Sequence, residues 1–451
     1  MSLQHTLIID LELDQRTNRL TDVGAVLGPS EYHKRSPDGL KELIEKATFV
    51  AGHNLVRHDA PALRQHLGQD ILAGKPLIDT LCWSALLYAD KPYHKLVKGY
   101  KLQNEDADNN PLSDAKLCGS LLEELLGCFN ALPIGLRAAY HALLGAQEGY
   151  DGFFSLAQHA PSSEGSAVLI QQHFSGRICS SAPITLFAAE RPVELAHALA
   201  LISTTDEASI LPGWVVHSLP ATQGLLQKMR FSRCTDPACA YCTRWLDPHR
   251  GLKDFFGYDR FRTFDGETDP GIQEKAVRSA LAGDSLLTVF PTGGGKSLTF
   301  QLPALMEGQF TRALTVVISP LVSLMKDQVE VLEDRHQNYN AAHLSGLLSP
   351  LERQAVLKQV EEGGIHLLYI APETLRSPTL TLLLRYRQIA RFVIDEAHCF
   401  SSWGHDFRVD YLFIAPFIKQ LQEDLGRKAP IPISCFTATA KPQVVEDIRN
   451  Y

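Results

Sequence analysis

Two segments in the C-terminal half of the chain contain residue types that act on a nucleoside triphosphate. PTGGGKS places Lys296 and Ser297 after a run of glycines, and VIDEAH contains the adjacent acids Asp395 and Glu396. Glycines let backbone N–H groups turn toward phosphates, the lysine reaches the outer phosphates, and the serine hydroxyl ligates Mg²⁺. Asp395 is expected to hold Mg²⁺ through water, and Glu396 to orient or deprotonate the attacking water. The strict motif has glycine where this chain has Phe290, but the lysine and the acid pair together still predict an ATP site.

Four carboxylates in the N-terminal third suggest a second, metal-dependent chemistry. Asp10 and Glu12 stand two residues apart in IIDLELD, hence on one face of a strand. Asp59 in GHNLVRHDAPAL and Asp114 in NNPLSDAKLC lie at predicted helix starts. Any one of these acids is also explained as a surface or capping residue. As a set they predict a site for two Mg²⁺ or Mn²⁺ ions that cleaves a phosphodiester.

A cysteine cluster occurs in RCTDPACAYCTRWLDPH. Its thiols Cys234, Cys239 and Cys242, with the imidazole of His249, would complete a tetrahedral structural Zn²⁺ site. The same cysteine spacing is that of plant-type ferredoxins, which would require a distant fourth cysteine such as Cys179. Three free thiols in a loop is the remaining interpretation, and the sequence leaves all three open.

The C-terminal motifs carry a family resemblance. PTGGGKS, SPLVSLMKDQV, LLYIAPETL, IDEAHCFSSWGHDFR and FTATA, in this order, resemble RecQ-type superfamily 2 DNA helicases over nearly all of residues 251 to 451. The resemblance implies an aromatic-rich loop after the acids that senses single-stranded DNA by stacking and couples it to ATP hydrolysis. The residues that it assigns to nucleic acid are Ser319, Trp403, His405, Phe407 and Arg408. The phosphate-binding residues that it assigns are Thr292, Gly293, Gly294, Gly295, Lys296 and Ser297. A core position for Trp403 and Phe407 is the alternative.

This sequence departs from the helicase pattern in two places. GLKDFFGYDRFR resembles the adenine-recognition segment of the family. The candidates for contacting adenine are Phe261, Arg262 and Gln273, but TFDGETDPGI separates the arginine from the glutamine. The family places that glutamine shortly after the arginine. The chain also stops soon after FTATA, without the second RecA-like lobe that a helicase motor needs. The sequence therefore predicts a fragment that binds ATP but hydrolyses it poorly.

The N-terminal carboxylates carry a second resemblance. Their order, Asp-x-Glu, then His-Asn with a following Asp, then Asp-Ala, resembles DEDD-family 3′→5′ exonucleases over roughly residues 5 to 130. That family carries a His five residues, or a Tyr four residues, before the last Asp, where this chain has Asn109 and Asn110. Neither can act as a base, so either a metal-bound hydroxide suffices or the domain is impaired. The pairing with a RecQ-like motor resembles the Werner-type helicase–nuclease.

The elements that position these residues form an α/β protein in three parts. Residues 1–132, with strands such as TLIIDLEL and several amphipathic helices, indicate an α/β or α+β domain, and the exonuclease resemblance implies that it is RNase H-like. Residues 133–250 predict a mostly helical connecting module that ends in the cysteine cluster. Residues 251–451 alternate helices with almost wholly apolar strands, which is typical of a parallel sheet buried on both faces. The helicase resemblance implies that this sheet is the RecA-like ATPase lobe 1.

Charge, N-terminal sequence and cysteine content argue against a nucleic-acid coat protein, a secreted protein and a membrane-spanning protein. The 451 residues carry a net charge of −8, which argues against a basic nucleic-acid coat but not against a local basic groove. The N-terminus lacks the basic start of a signal peptide, and no run of about 18 apolar residues predicts a membrane span. With nine mostly scattered cysteines and no such signal, a reducing, cytoplasmic or nucleoid-associated location is expected.

Together these observations predict the N-terminal portion of an ATP-dependent DNA helicase–nuclease. Its expected cofactors are ATP and Mg²⁺ or Mn²⁺, with Zn²⁺ as a further candidate, and its partner is DNA that is single-stranded or has a 3′ end. The helicase resemblance implies 3′→5′ movement. The alternative is a non-catalytic module that grips DNA ends, joined to a nucleotide-dependent clamp. An RNA-directed enzyme is a third hypothesis.

Overall fold

A computed structural model gives the structure of most of the chain. It describes residues 3–14, 17, 19–89, 91, 94, 96, 110–204, 211–232, 234–264, 271–290, 293–400, 409–427, 429–438 and 442–450. Among these residues, no helix combines the length and the apolar character needed to cross a membrane.

The chain divides into two compact units, each described by itself below. The N-terminal unit comprises Met1–Ser175, Pro183–Ser203 and Leu211–Leu225, and the C-terminal unit comprises Gly176–Ala182, Thr204–Ile210 and Leu226–Tyr451. The division into three parts at residues 132 and 250 remains a prediction about domains.

The N-terminal unit is built on a mixed five-stranded sheet. Its strands are β1 (Thr6–Leu13), β2 (Leu20–Leu27), β3 (Ser30–Lys34), β4 (Phe49–Gly52) and β5 (Leu77–Asp79). The order is β3-β2-β1-β4-β5, with β1, β2 and β3 antiparallel and with β4 and β5 parallel to β1. Strand β1 is therefore central, and its Leu7, Ile9 and Leu11 are buried on one face. Because side chains alternate along a strand, Asp10 and Glu12 face the other side.

Helices lie between the later strands and continue after the sheet, and the division between the two units falls within the last of them. They are α1 (Leu40–Lys46), a π-helical turn (Leu55–Asp59), α2 (Ala60–Leu67), α3 (Thr80–Leu87), α4 (Pro111–Ala131), α5 (Ile134–Leu144), α6 (Asp151–Leu156), α7 (Ser166–His173), α8 (Ile184–Glu190), α9 (Pro192–Ser203), α10 (Gly213–Ser218) and α11 (Ala221–Arg230). Helix α4 packs against β1 and β2. This packing requires two glycines, since a Cβ on Gly24 would lie 2.1 Å from the α4 backbone and one on Gly119 would lie 2.9 Å from Ile8.

The C-terminal unit contains a parallel six-stranded sheet. Its strands are β6 (Leu286–Val289), β7 (Leu314–Ile318), β8 (Ala341–Leu344), β9 (Leu367–Ile370), β10 (Ile389–Ile394) and β11 (Ile433–Thr437). The order is β6-β11-β10-β7-β9-β8, and every pair is parallel. Val316, Ile318, Leu368, Phe392 and Ile394 form part of one buried apolar cluster. The predicted α/β class and the RecA-like parallel sheet of the ATPase lobe are confirmed.

Helices before, between and after these strands complete the unit. They are α12 (Ala240–Trp245), α13 (Pro248–Phe256), α14 (Ile272–Leu281), α15 (Leu298–Thr311), α16 (Val322–His336), α17 (Pro350–Glu361), α18 (Pro378–Arg385), α19 (Ile414–Asp424) and α20 (Pro442–Asn450), with short 3₁₀ turns at Pro372–Arg376, Ala397–Phe400 and Val409–Phe413. All six strands run in one direction, so the loops after β6, β7, β10 and β11 meet at one edge. That edge is where open parallel sheets bind ligands.

Candidate functional site

The glycine loop connects β6 to α15, in the strand–loop–helix arrangement that the sequence predicts. Gly293 and Gly295 have φ angles of +75° and +70°, in the left-handed region that favours glycine. A Cβ on Gly295 would also lie 2.6 Å from Nε2 of Gln273. Helix α15 begins directly after Lys296 and Ser297, so its N-terminal N–H groups point toward the loop.

Lys296 is enclosed by the two acids that follow β10. Its Nζ lies 2.7 Å from Oδ1 of Asp395 and 2.7 Å from Oε1 of Glu396. Burial lowers the pKa of Lys296, but attraction to the two carboxylates outweighs it and the pKa is raised. The lysine and both predicted catalytic acids are therefore brought together, a hundred residues apart in sequence.

Asp395 is held by residues from two other elements. Ser319, directly after β7, donates from Oγ to Oδ2 of Asp395 at 3.4 Å, and the Tyr411 hydroxyl donates to the Asp395 carbonyl oxygen at 2.9 Å. Ser319 is only 2% exposed. This burial argues against the predicted contact of Ser319 with nucleic acid, because the strand end turns its hydroxyl inward to the carboxylate.

Glu396 joins the site to the end of β11. Its φ angle of +47° is unusual for a residue with a side chain. Nδ1 of His398 lies 3.2 Å from Oε2 of Glu396 and 3.2 Å from Oγ1 of Thr437. Sequence reasoning missed His398 and Thr437 as parts of the site, although both lie within the motifs IDEAH and FTATA.

Two of the predicted adenine-binding residues brace the glycine loop. Oε1 of Gln273 accepts the Arg262 backbone N–H at 2.8 Å, and Nε2 donates to the Gly295 carbonyl oxygen at 3.2 Å. The Arg262 guanidinium donates to the Gly293 carbonyl oxygen at 3.1 Å. Phe261 is buried, with its ring 5.1 Å from that of His249. Adenine recognition by these residues remains a prediction.

The side chains around the glycine loop fit Mg²⁺ and a triphosphate. Ser297 opens α15, and Asp395 offers a buried carboxylate at the same strand edge. These oxygen donors suit Mg²⁺, which prefers few protein ligands and keeps several waters. Other predicted positions lie outside the described residues: Thr292 of the phosphate loop, and Trp403, His405, Phe407 and Arg408 of the aromatic loop.

In the N-terminal unit, three of the four predicted carboxylates converge. Asp10, Glu12 and Asp114 each place an oxygen within 4.8 Å of the others. Asp59 adjoins them, since its Oδ1 accepts the Leu11 backbone N–H at 3.2 Å. Its Oδ2 is buried with no hydrogen-bond partner among the described residues. An oriented, buried carboxylate oxygen beside three converging acids fits a divalent cation.

Two carboxylates of this site, Asp10 and Asp59, have raised pKa values. Burial raises the pKa of Asp10 to about 7, and the negative charges of Asp59, Asp114 and Glu12 contribute. Burial also raises the pKa of Asp59 to about 6, although its hydrogen bond to His58 opposes the change. Like charges held together and away from water disfavour ionisation, and a bound cation would reverse that effect.

The start of α4 determines where Asp114 lies. Pro111 occupies the first turn, and Oδ1 of Asn110 caps the helix by accepting the backbone N–H groups of Leu112 and Ser113 at 3.1 and 3.2 Å. Asn110 therefore has a structural role where the exonuclease pattern has a tyrosine. Asn109, at the histidine position, lies outside the described residues.

His58 is the imidazole that the structure places beside these acids. Its Nδ1 lies 3.0 Å from Oδ1 of Asp59, and that hydrogen bond raises its pKa. The side chain is 42% exposed, so one side of the imidazole meets solvent. Sequence alone placed His58 next to Asp59 but gave no distance to the other carboxylates.

The cysteine cluster differs from its predicted composition. The thiols of Cys234, Cys239 and Cys242 are joined by that of Cys179, all within 4.8 Å of one another. His249, the predicted fourth ligand, instead places Nε2 3.0 Å from Oε1 of Glu274. The cause is local, because Asp247 caps α13 and sets His249 in its first turn, facing α14.

Comparisons with known proteins agree with the C-terminal motifs. The DEAD/DEAH box helicase family model matches residues 271–448. The probable ATP-dependent DNA helicase RecS of Bacillus subtilis is 39% identical over 199 residues, 44% of this chain and 36% of its own length. The ATP-dependent DNA helicase RecQ of Synechocystis is 44% identical over 195 residues, 43% of this chain and 37% of its own length. Among solved structures, the DUF1998 helicase MrfA is 22% identical, with a TM-score of 0.34, covering 45% of this chain and 31% of its own.

The chain thus spans little more than a third of the length of these two relatives. The residues that the family model matches, 271–448, lie in the C-terminal half of the chain. The matched region contains Lys296, Asp395 and Glu396 in the geometry described above. Residues 271–448 therefore match the DEAD/DEAH box helicase family model, and the chain is similar to RecQ-type DNA helicases.

Proposed function

We propose that this chain is part of an ATP-dependent DNA helicase–nuclease, with a helicase ATPase lobe and a metal-dependent 3′→5′ exonuclease unit. The observation that carries the nuclease half is the convergence of Asp10, Glu12 and Asp114 beside the buried Asp59. The helicase half rests on the RecQ-type domain and on the ion pairs of Lys296.

In the ATPase lobe, the chain's own groups would bind and orient the triphosphate. Backbone N–H groups of the glycine loop and the start of α15 would receive the phosphates, and Lys296 would exchange its carboxylate partners for phosphate oxygens. Asp395 and Ser297 would hold Mg²⁺, which would neutralise phosphate charge. Glu396, released from Lys296, would orient the attacking water.

The hydrogen bonds of His398 provide a route from nucleotide to DNA. His398 contacts both Glu396 and Thr437. A shift of Glu396 on nucleotide binding would therefore move His398 and change its contact with Thr437 at the end of β11. The predicted DNA-sensing residues Trp403, His405, Phe407 and Arg408 follow His398 closely in sequence. We propose that they stack on single-stranded bases, which would connect DNA binding to hydrolysis.

In the nuclease unit, the carboxylates would hold the divalent cations and position the scissile phosphate. Asp10, Glu12, Asp59 and Asp114 would be the ligands, and the bound ions would supply Lewis acidity and lower the pKa of an attacking water. Leu11 N–H fixes Asp59, while the capped start of α4 fixes Asp114. The rigid β1 and α4 therefore determine the ligand geometry.

The proposal is tested with 5′-labelled single-stranded DNA and Mn²⁺ or Mg²⁺, without ATP. The wild-type chain should produce a ladder that shortens from the 3′ end, and a variant combining Asp10→Ala with Glu12→Ala should not. Asp70→Ala, which removes an exposed acid of the same unit, is the matched control and should retain cleavage. A ladder that persists in the double variant would reveal a contaminating nuclease.

The competing function, a DNA-end-gripping module, gives a different pattern. It predicts that the wild-type chain binds DNA with a free 3′ end but does not shorten it at any metal concentration. The replacement of the expected tyrosine by the capping Asn110 is the observation that favours it. Running the same assay with single-stranded RNA tests the RNA-directed alternative, which predicts preferential shortening of RNA.

A further inference from the structure

The four-cysteine cluster of the C-terminal unit has no part in either proposed activity. Its ligand atoms are the sulfurs of Cys179, Cys234, Cys239 and Cys242, all mutually within 4.8 Å. Three of these residues are almost fully buried, with exposed fractions of 3% for Cys179, 2% for Cys239 and 1% for Cys242. Buried thiols that meet in one place from two distant parts of the chain are typical of a metal site.

The spacing of the sulfurs indicates a single ion. A tetrahedral Zn²⁺ site with Zn–S bonds of about 2.3 Å places its sulfurs about 3.8 Å apart. The Cys234 and Cys242 sulfurs are 3.7 Å apart, and all four sulfurs lie within 4.8 Å of one another. In the plant-type two-iron cluster the four thiolates are divided between two irons, so sulfurs bound to different irons would stand further apart.

The surrounding backbone holds the thiols in this arrangement. The Cys179 N–H donates to the Met229 carbonyl oxygen at 2.8 Å, which fixes the distant ligand beside the end of α11. Asp236 forms a turn by accepting the Ala238 N–H at 2.9 Å, and Cys239 then stands at the N-cap of α12. Cys242 lies one turn along this helix, so the three nearby thiols converge on one side of the turn.

We propose that Cys179, Cys234, Cys239 and Cys242 form a structural Zn²⁺ site in the C-terminal unit. Four protein ligands leave no coordination position for a substrate, which is the pattern of structural rather than catalytic zinc. The site differs from the Cys₃His set that was one interpretation of the sequence, and it uses Cys179, which entered that analysis only as a ligand of an iron–sulfur cluster.

The site would fix α12 against the far end of the nucleotide-binding helix α15. Tyr241 and Trp245 of α12 pack edge-to-face on Phe310, near the C-terminus of α15, at ring distances of 6.0 and 5.4 Å. The Arg230 guanidinium lies 4.9 Å from the Phe310 ring and contacts its carbonyl oxygen. Zinc would thus stabilise the helix whose opposite end carries Lys296.

The first test is metal analysis of the purified 451-residue chain. We expect one zinc per chain and little iron, and replacement of zinc by Co²⁺ should give the visible absorption bands of a tetrahedral tetrathiolate. Cobalt substitution is done on the wild-type sequence, so it does not depend on any variant folding. Iron with broad absorption near 400 nm would overturn the proposal in favour of a cluster, and a chain with no metal that fails to bind added Zn²⁺ or Co²⁺ would overturn it outright.

Variants then distinguish the four-cysteine ligand set from the set of three cysteines and His249. Cys179→Ser should lose most of the zinc, whereas His249→Ala should keep one equivalent, because its imidazole faces Glu274. Cys128→Ser, at a half-buried thiol of the N-terminal unit, controls for general thiol loss. Zinc retained by Cys179→Ser but lost from His249→Ala would restore the Cys₃His set and contradict the site proposed here.

Discussion

Each of the two acidic sites of this chain holds carboxylates close together, but the negative charge is balanced differently in the two sites. In the C-terminal unit, Asp395 and Glu396 enclose the ammonium group of Lys296, with both contacts at 2.7 Å. In the N-terminal unit, Asp10, Glu12 and Asp114 converge on one another, and the pKa of Asp10 rises to about 7. The imidazole beside them, His58, pairs with Asp59, and when protonated it only partly offsets their charge.

This difference indicates what each site requires from outside the chain. A carboxylate pair neutralised by a lysine is stable before nucleotide arrives, and ATP has to compete for that lysine. Converging carboxylates without such a lysine stay partly protonated until a divalent cation replaces the protons. We therefore expect charge exchange with nucleotide at Lys296, and cation binding at the N-terminal carboxylates.

The largest effect is expected from Gly24→Ala in the N-terminal unit. The added Cβ would meet the backbone of Pro111 and Leu112 at 2.1 Å, which forces α4 and Asp114 away from β1. A displacement of about 1 Å at a reacting centre can cost about 100-fold in rate. We expect that loss in metal-dependent DNA cleavage, together with about 1–3 kcal/mol lower unfolding free energy.

Gly127→Ala is the matched control, since it lies on the same helix with nothing within 4 Å of the new Cβ. It should leave cleavage unchanged and slightly raise stability, because alanine is the better helix former. Equal loss of cleavage in both variants would mean that the position of α4 does not determine the site.

The next effect concerns Lys296→Ala in the C-terminal unit. Hydrogen bonds to charged groups contribute about 1.5–3 kcal/mol, so ATP affinity should fall roughly 10- to 100-fold. Fluorescent-nucleotide titration measures this affinity without requiring turnover. Lys326→Ala removes a surface lysine paired with Glu330 and should bind ATP like the wild type. Unchanged affinity in the Lys296 variant would contradict the charge-exchange description.

The pH dependence of metal binding distinguishes the two sites directly. Because Asp10 has a pKa of about 7, each metal-binding event below pH 7 must displace its proton. Affinity for Mn²⁺ should rise about tenfold per pH unit between pH 6 and 7, more steeply below pH 6, where Asp59 must also lose its proton, and level off above pH 7. Asp10→Asn should bind more weakly, with a flatter pH profile. Calorimetric titration between pH 5.5 and 8.5 measures both curves, and a flat wild-type profile would contradict the raised pKa.

The raised pKa of Asp10 also affects the unfolding free energy of the metal-free protein. The folded pKa of Asp10 lies above its ordinary value of 3.8, so the folded chain binds more protons than the unfolded chain between these values. This contribution is present at low pH and is lost as the pH rises through about 7. The wild type should therefore lose unfolding free energy relative to Asp10→Asn between pH 5 and 8, and added Mn²⁺ should restore it. Urea unfolding with a chelator present gives the comparison.

The smallest effect is expected at Asn110. Removing its cap with Asn110→Ala should cost about 1 kcal/mol of unfolding free energy, whereas Asn110→Ser keeps an oxygen for the helix N–H groups and should cost less. Neither change should reduce metal affinity tenfold. A severe loss of cleavage in Asn110→Ala with the fold intact would give this residue a chemical role beyond capping.

The C-terminal unit was largely predictable because its signals are local and ordered. Apolar strands ending in PTGGGKS, SPL, IDEAH and FTATA predict a parallel sheet with its loops at one edge, and the structure has that sheet. The site contacts of His398, Thr437 and Tyr411 were not predicted. They depend on how β10 and β11 lie side by side and on where the chain returns after the aromatic loop, and no spacing rule encodes either.

The cysteine cluster and the nuclease-like site show the limit of sequence spacing more clearly. Cys234, Cys239 and Cys242 are adjacent in sequence, so His249 was the nearest apparent fourth ligand, yet the chain supplies Cys179 from a distant segment. Likewise, Asn110 was classed by its lack of a basic group, whereas its side chain is a helix cap. In both cases the start of a helix determines where the side chain points: His249 lies in the first turn of α13, and Asn110 is the N-cap of α4.

The sequence by itself determined the chemistry available to this protein: a phosphate loop, two acid sets, four suitable thiols and an α/β chain to carry them. Residue types and strand-end positions are local properties, so they can be read in order along the chain. Only the tertiary structure decided which acid pairs with a lysine, which acids repel one another, and which cysteine completes the cluster. These depend on distances between residues far apart in sequence, and charge interactions and metal coordination change steeply over a few ångströms.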